Sequence, residues 1–263
     1  IENTARNWDL IGMSEIDNGA IVNFTNTGTI TLGTDTFGSK NPYYGGVLAT
    51  NSTDEINFDN SGTMQSARLI FRLGGTENFT LTNSGTIKQD NYAYLSTGDS
   101  GACCDYSATT IRVGASGSGA TIINLSSGTI SASHQNYHAI TIGDEEANAA
   151  HSNATIENSG TISAGSDDYG RAIIIIPAAS GTITSGTTIK VKGEAEFTGG
   201  IDLGATESTI VLDPSVKKDI TIYIYNYDGD LTVTNNLTGN DTYTLTSENL
   251  DSEVDSDADD GIL

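Results

Sequence analysis

The chain has 263 residues, with 34 Asp and Glu against 11 Lys and Arg, for a formal charge of −23. That charge repels phosphate backbones and excludes a nucleic-acid partner. No apolar run approaches the ~18 residues that span a bilayer, and 114 residues are Thr, Gly, Ser or Asn, a composition that disfavours helices and favours strands and turns.

The first residues, Ile1-Glu-Asn-Thr-Ala5, have neither the basic start nor the apolar segment of a signal peptide. They read as the start of a chain whose leader has been removed, or of an excised fragment. From Ile21 onward one pattern recurs. An alternating strand comes first: Ile21-Val-Asn-Phe24, Ile56-Asn-Phe58, Phe79-Thr-Leu81, Ile122-Ile-Asn-Leu125 and Thr155-Ile156. A tight corner follows: Asn26-Thr-Gly-Thr-Ile30, Asn60-Ser-Gly-Thr-Met64, Asn83-Ser-Gly-Thr-Ile87, Ser126-Ser-Gly-Thr-Ile130 and Asn158-Ser-Gly-Thr-Ile162, with a weaker copy at Ser180-Gly-Thr-Ile183. Glycine at such a corner suggests a turn with φ > 0. The Thr-Ile pair opens a second strand. After a variable loop comes a third: Val47-Leu48, Leu69-Ile-Phe71, Ile111-Arg-Val113, Ile140-Thr-Ile142 and Ile173–Ile176.

The corner glycines are 28, 62, 85, 128, 160 and 181, so their spacings are 34, 23, 43, 32 and 21. A minimum of about 21 residues is one turn of a solenoid, and longer spacings are the same turn with loops inserted. The expected fold is all-β: a right-handed parallel β-helix with three short strands per turn, stacked at about 4.8 Å. Inward Ile, Leu and Val stack on their counterparts, and the corner Asn residues can form an amide ladder. The repeat fills residues 1–193. Residues 194–250 carry further strands that continue the solenoid irregularly or cap its end. Residues 251–263, with six carboxylates, read as an acidic tail or linker rather than a calcium loop.

The repeated Asn-Ser-Gly-Thr-Ile in an acidic, Thr/Gly/Asn-rich, nearly Cys-free chain resembles the passenger region of type Va autotransporters of Gram-negative bacteria. The resemblance covers about Ile21 to Gly204. It implies export through an outer-membrane barrel outside this chain, which is its only link to a membrane, and display on or release from the cell surface. It implies no one activity, since passengers include adhesins, aggregation factors, toxins and proteases.

In a solenoid, function goes to the loops that break the period. The inserts Thr34–Gly46, Gln89–Ser107, Ser133–Tyr137 and Gly165–Gly170 all follow the second strand, so they should emerge along one edge. They carry Phe37, Tyr43, Tyr44, Tyr92, Tyr94, Tyr106, Tyr137 and Tyr169. Tyrosine on a loop offers large, rigid contact area with a polar tip. These tyrosines are the candidate binding residues, and the expected partner is a host cell-surface protein or glycan, or another copy of the chain. The opposite corner, with Asp144, Glu145 and Glu146, reads as small, acidic and solvated. Adjacent Cys103 and Cys104 suit a strained vicinal disulfide that stiffens the longest loop at an oxidising location.

Enzyme readings find less support. Gly98-Asp-Ser-Gly101 resembles the nucleophile motif of chymotrypsin-like proteases, but continues Ala-Cys, and His134, His138 and His151 all follow it where that family places His first. A polysaccharide lyase needs carboxylates with Arg or Lys on a trunk face; Arg72, Arg112 and Arg171 are the candidates for such a stack. No cofactor or metal is expected. The reading is therefore a non-enzymatic surface adhesin, with self-association, the receptor-binding part of a toxin and a lyase as alternatives.

Overall fold

The computed structural model describes residues 2–3, 11–14, 21–32, 47–50, 55–66, 70–74, 78–89, 109–113, 120–133, 137–143, 154–165, 170–176, 186–204, 207–216, 219–225, 231–237 and 243–247. Among these there is no helix. The strands form three parallel sheets of eight, seven and nine strands, wound as a parallel β-helix. Each full turn contributes one strand to each sheet in a fixed order, for example Asn78–Asn83 to the first sheet, Thr86–Gln89 to the second and Thr109–Val113 to the third.

Alternation decides which residues fill the interior. In the second sheet Ile30, Met64, Ile87, Ile130 and Ile162 lie in register and are buried, while the threonines beside them face outward. In the third sheet Phe71, Ile111, Ile140, Ile173, Ile201 and Ile224 form the matching stack. A run of rings fills the interior near Ile21–Asn26: Phe24 stacks on Phe58 at 4.6 Å, and Phe58 meets Phe71 edge-on at 5.0 Å. Each buried Ile, Leu or Phe contributes roughly 1.5–3 kcal/mol, and a solenoid adds this contribution rung by rung.

The corner between the first and second sheets is nearly invariant. Asn26 Nδ2 donates to Asn60 Oδ1, Asn60 to Asn83 and Asn83 to Asn124, each at 2.8 Å, and Asn124 donates to Asn158 at 2.9 Å. The fourth member is Asn124, two residues before Ser126, which opens that copy of the corner motif. Strand register sets the ladder: Asn124 pairs with Asn83, whereas the motif had aligned the residues by their distance from glycine. Here the turn is two residues longer, and Gly128 N–H closes it on the Leu125 carbonyl at 2.8 Å.

The reason for the corner glycines also differs from expectation. None of Gly28, Gly62, Gly85, Gly128 and Gly160 has φ > 0. They are glycine because the rungs touch there. A Cβ on Gly85 would stand 2.1 Å from the Gly62 carbonyl oxygen, and one on Gly62 would stand 2.0 Å from that of Gly28. Gly28 itself has nothing within 4 Å of such a Cβ.

Gly181 lies outside the described residues, and the corner after Gly160 is made instead by Gly193, with φ +56°. Strand Thr187–Val191 pairs with Thr155–Asn158, giving that turn 33 residues rather than 21. Turns of 21 and 23 residues do occur further on, where Thr187 pairs with Ser208 and Ser208 with Leu231. The strands beyond Gly193 stack in parallel on those before them, through Leu231–Asn235 in the first sheet and Tyr243–Ser247 in the third. The second sheet ends earlier, at Glu196–Thr198.

Candidate recognition edge

The three corners of the prism differ. The Asn corner is closed by two to four residues in every turn that carries a second-sheet strand. The corner between the second and third sheets takes long connections from Leu32 to Val47, Gln89 to Thr109 and Ser163 to Ile173, and a short one from Ala132 to His138. The corner between the third and first sheets is not uniformly small: Ile142 to Thr155 and Ile175 to Thr187 are long as well. The second of these was hidden because Ser180-Gly-Thr-Ile183 imitates the corner motif.

In sequence, Tyr43, Tyr44, Tyr92, Tyr94, Tyr106 and Tyr169 all fall between a second-sheet strand and the next third-sheet strand. They, Phe37, Cys103 and Cys104 lie outside the described residues, as do Asp144, Glu145 and Glu146. Tyr137 is described, and it corrects the expectation for that position. It is 6% exposed, packs with Ala132, and its carbonyl accepts the Gly165 N–H at 3.1 Å. Only a few residues join Ala132 to His138, so the ring folds down over the strand ends rather than projecting.

Beside this corner, the outer face of the third sheet is buried between Thr110 and Asp202, which alternation alone did not reveal, whereas Thr221 and Tyr223 further on are exposed. Thr110, Arg112, Thr141, Ile174 and Asp202 point away from the interior and are 0–8% exposed. In contrast, the outward residues of the second sheet between Thr31 and Ser163 are half-buried. Arg112 and Arg72 are register partners as expected, but the ladder continues through Thr141, Ile174 and Asp202, not Arg171. Arg171 precedes strand Ile173–Ile175 and so falls outside that stack. With Arg112 and Arg171 buried, neither contributes to an exposed basic groove.

Arg171 is instead part of a packed cluster. Its guanidinium carbon lies 4.0 Å from the centroid of the Tyr225 ring, its Nη1 donates to the Gly170 carbonyl at 3.2 Å, and its backbone N–H donates to His138 Nδ1 at 3.1 Å. The accepting nitrogen must be unprotonated. Burial, and then the Arg171 charge, lower the His138 pKa to about 4. A neutral imidazole held this way positions the start of strand His138–Ile142. Gln89, at the root of the longest connection, is fully buried with no partner for its side-chain amide. Its carbonyl accepts both the N–H and the hydroxyl of Ser133, tying that root to the next turn.

On the first sheet, Glu157 lies between Lys190, at 2.7 Å, and Lys192. Burial raises the Glu157 pKa, but hydrogen bonds and charge from the two lysines outweigh it, so the net shift is downward. Among the described residues, no group of three or more His, Cys, Asp or Glu could hold a metal ion. No family model, curated protein or solved structure matches this chain.

Proposed function

We propose that the chain is the β-helical trunk of a bacterial surface adhesin, a passenger-like region displayed outside the outer membrane, and that it acts by binding rather than catalysis. The observation that carries this reading is the contrast between corners. The Asn corner repeats with little variation, while connections of very different length leave the corner between the second and third sheets. A trunk held to one register by a near-constant corner, with variable segments at its other corners, suits a scaffold that presents recognition loops. Six tyrosines fall in those segments, Tyr43, Tyr44, Tyr92, Tyr94, Tyr106 and Tyr169, and a few such anchors can dominate a binding energy.

The partner in this reading is a host cell-surface protein or glycan. The test is binding of the labelled chain to epithelial cells, beside a variant in which residues 90–107 are replaced by a short Gly-Ser turn, leaving Gln89 in its strand. Binding by the parent and its loss in the variant is the expected outcome. Equal binding by both moves the site off that segment, and binding by neither overturns the adhesin reading.

A further inference from the structure

The outer face of the second sheet has a regularity that a trunk does not need. Thr29, Thr63, Thr86, Thr129 and Thr161 lie in unbroken register, one per rung. Two residues further along, Thr31, Ser131 and Ser163 begin and end a second column, interrupted by Gln65 and Lys88. Rungs stack at about 4.8 Å, and two residues along a strand cover about 6.6 Å. The hydroxyls therefore sit on a two-dimensional net. Threonine is stiff at χ1, so the net is set before any ligand arrives, and the Asn ladder fixes rung-to-rung register along one border of it.

Charge separates this face from the rest of the molecule. The chain carries −23, yet the ten outward positions of these five strands hold one charge, Lys88, and the threonine column ends where Glu196 pairs with Thr161 on the next rung. The first sheet also has a threonine column, but its outer face carries Glu55, Asp59, Glu157 and Lys190. The second sheet's face also carries no aromatic ring, which a sugar-binding surface uses for stacking.

We infer that the outer face of the second sheet between Thr29 and Ser163 binds ice. A rigid array of hydroxyl and methyl groups with Lys88 as its one charge, on a net close to the oxygen spacings of an ice crystal face, is complementary to that lattice, which excludes ions. Each threonine brings a methyl group and a hydroxyl with one donor and two acceptor sites, one of which at Thr31 is taken by Gln65 Nε2 at 3.0 Å. Each contact is weak, and binding comes from many contacts made in register. The site is separate from the recognition edge and does not depend on the adhesin reading.

The test is partition of the 263-residue chain between a slowly growing ice hemisphere and the remaining liquid, against an inert protein of similar size and charge. Expected is at least several-fold enrichment of the parent in the ice. Thr86→Tyr with Thr129→Tyr should return partition to the inert level with the β-sheet circular dichroism unchanged. Thr121→Tyr on the first sheet should partition as the parent does. Should the double tyrosine variant fail to fold, Thr129→Lys, which adds a charge near Lys88, takes its place. Exclusion of the parent from ice, or equal enrichment of every folded variant, overturns the inference.

Discussion

The rungs up to Asn158 and those from Thr187 onward solve the same corner differently. In the earlier rungs the inward residue that ends the first-sheet strand is Asn, joined to the next Asn, and a glycine follows whose backbone touches the rung before it. In the later rungs Val191 and Leu212 take the same register position, and Gly193 turns the chain with positive φ. A fully paired polar stack and an apolar stack are both stable there; a half-paired one is not, because an unmade buried hydrogen bond costs more than a made one returns. The earlier solution demands glycine for lack of space, the corner after Val191 uses Gly193 for its φ angle, and the corner after Leu212 needs no glycine, being closed by Asp213 accepting the Ser215 N–H at 2.8 Å.

The largest effect that can break this comparison is steric. Gly85→Ala places a Cβ 2.1 Å from the Gly62 carbonyl oxygen, and the obstacle is backbone, which cannot rotate away. We expect a loss of about 3 kcal/mol or more, at the upper end of overpacking. Gly28→Ala meets nothing within 4 Å, and its cost should stay below about 1 kcal/mol. Urea unfolding of both variants checks the pair. Equal losses would mean that the corner needs glycine for some reason other than contact between rungs.

Next comes the ladder itself. Asn83→Leu removes the acceptor of Asn60 Nδ2 and the donor to Asn124 Oδ1 in one step. Two buried groups are left short of a partner, so a loss of about 2–4 kcal/mol is expected. Val191→Ala, in the apolar part of the same column, removes only buried methyls and should cost about 1–3 kcal/mol. If Asn83→Leu proves as mild as a surface change, the amide chain does not hold the earlier rungs together.

Much of this was legible beforehand. The class of fold, the three-strand turn and the inward Ile positions follow from period-two alternation and a repeated corner, both properties of local sequence. The position of the ladder in the fourth rung was not legible, because Ser126-Ser-Gly copies the motif while the lateral pairing of Asn83 with Asn124 decides the outcome. Gly181 misled in the same way: a local match says nothing about which strand lies next door. Tyr137 was assigned to a projecting loop, but whether a ring projects or folds down depends on the length of its connection and on what lies beneath it. The burial of Arg112 and Thr141 on an outward face is likewise a tertiary property. What the loops recognise was least legible, since a tyrosine-bearing insert names no ligand.

A smaller effect sharpens the contrast between the covered third sheet and the open faces. His138 has its folded pKa lowered to about 4 from the 6.5 usual for histidine. Between these values the unfolded chain holds a proton that the folded one does not. Stability should therefore be full above about pH 6.5 and fall with acid by up to about 1.4 kcal/mol per pH unit towards pH 4. His138→Asn should flatten that part of the stability–pH curve. If the slope is unchanged in this variant, the imidazole is not held neutral by its surroundings.

The smallest effect lies at the junction where the two corner solutions meet. Asn158 is the last ladder Asn, and the residue before it, Glu157, pairs in register with Lys190 of the first unladdered rung. The Lys190 and Lys192 side chains are 37% and 32% exposed, so solvent screens the ion pairs and each contributes at most about 1 kcal/mol. Because the Glu157 pKa is lowered on folding, this contribution is present above its unfolded value and is lost as pH falls through the folded one. Glu157→Gln should cost less than about 1 kcal/mol in dilute buffer, and the cost should shrink in molar salt. A larger, salt-independent loss would mean that Glu157 takes part in closing the junction beyond its charge, and that the amide ladder ends against a structural clamp rather than a solvated ion pair.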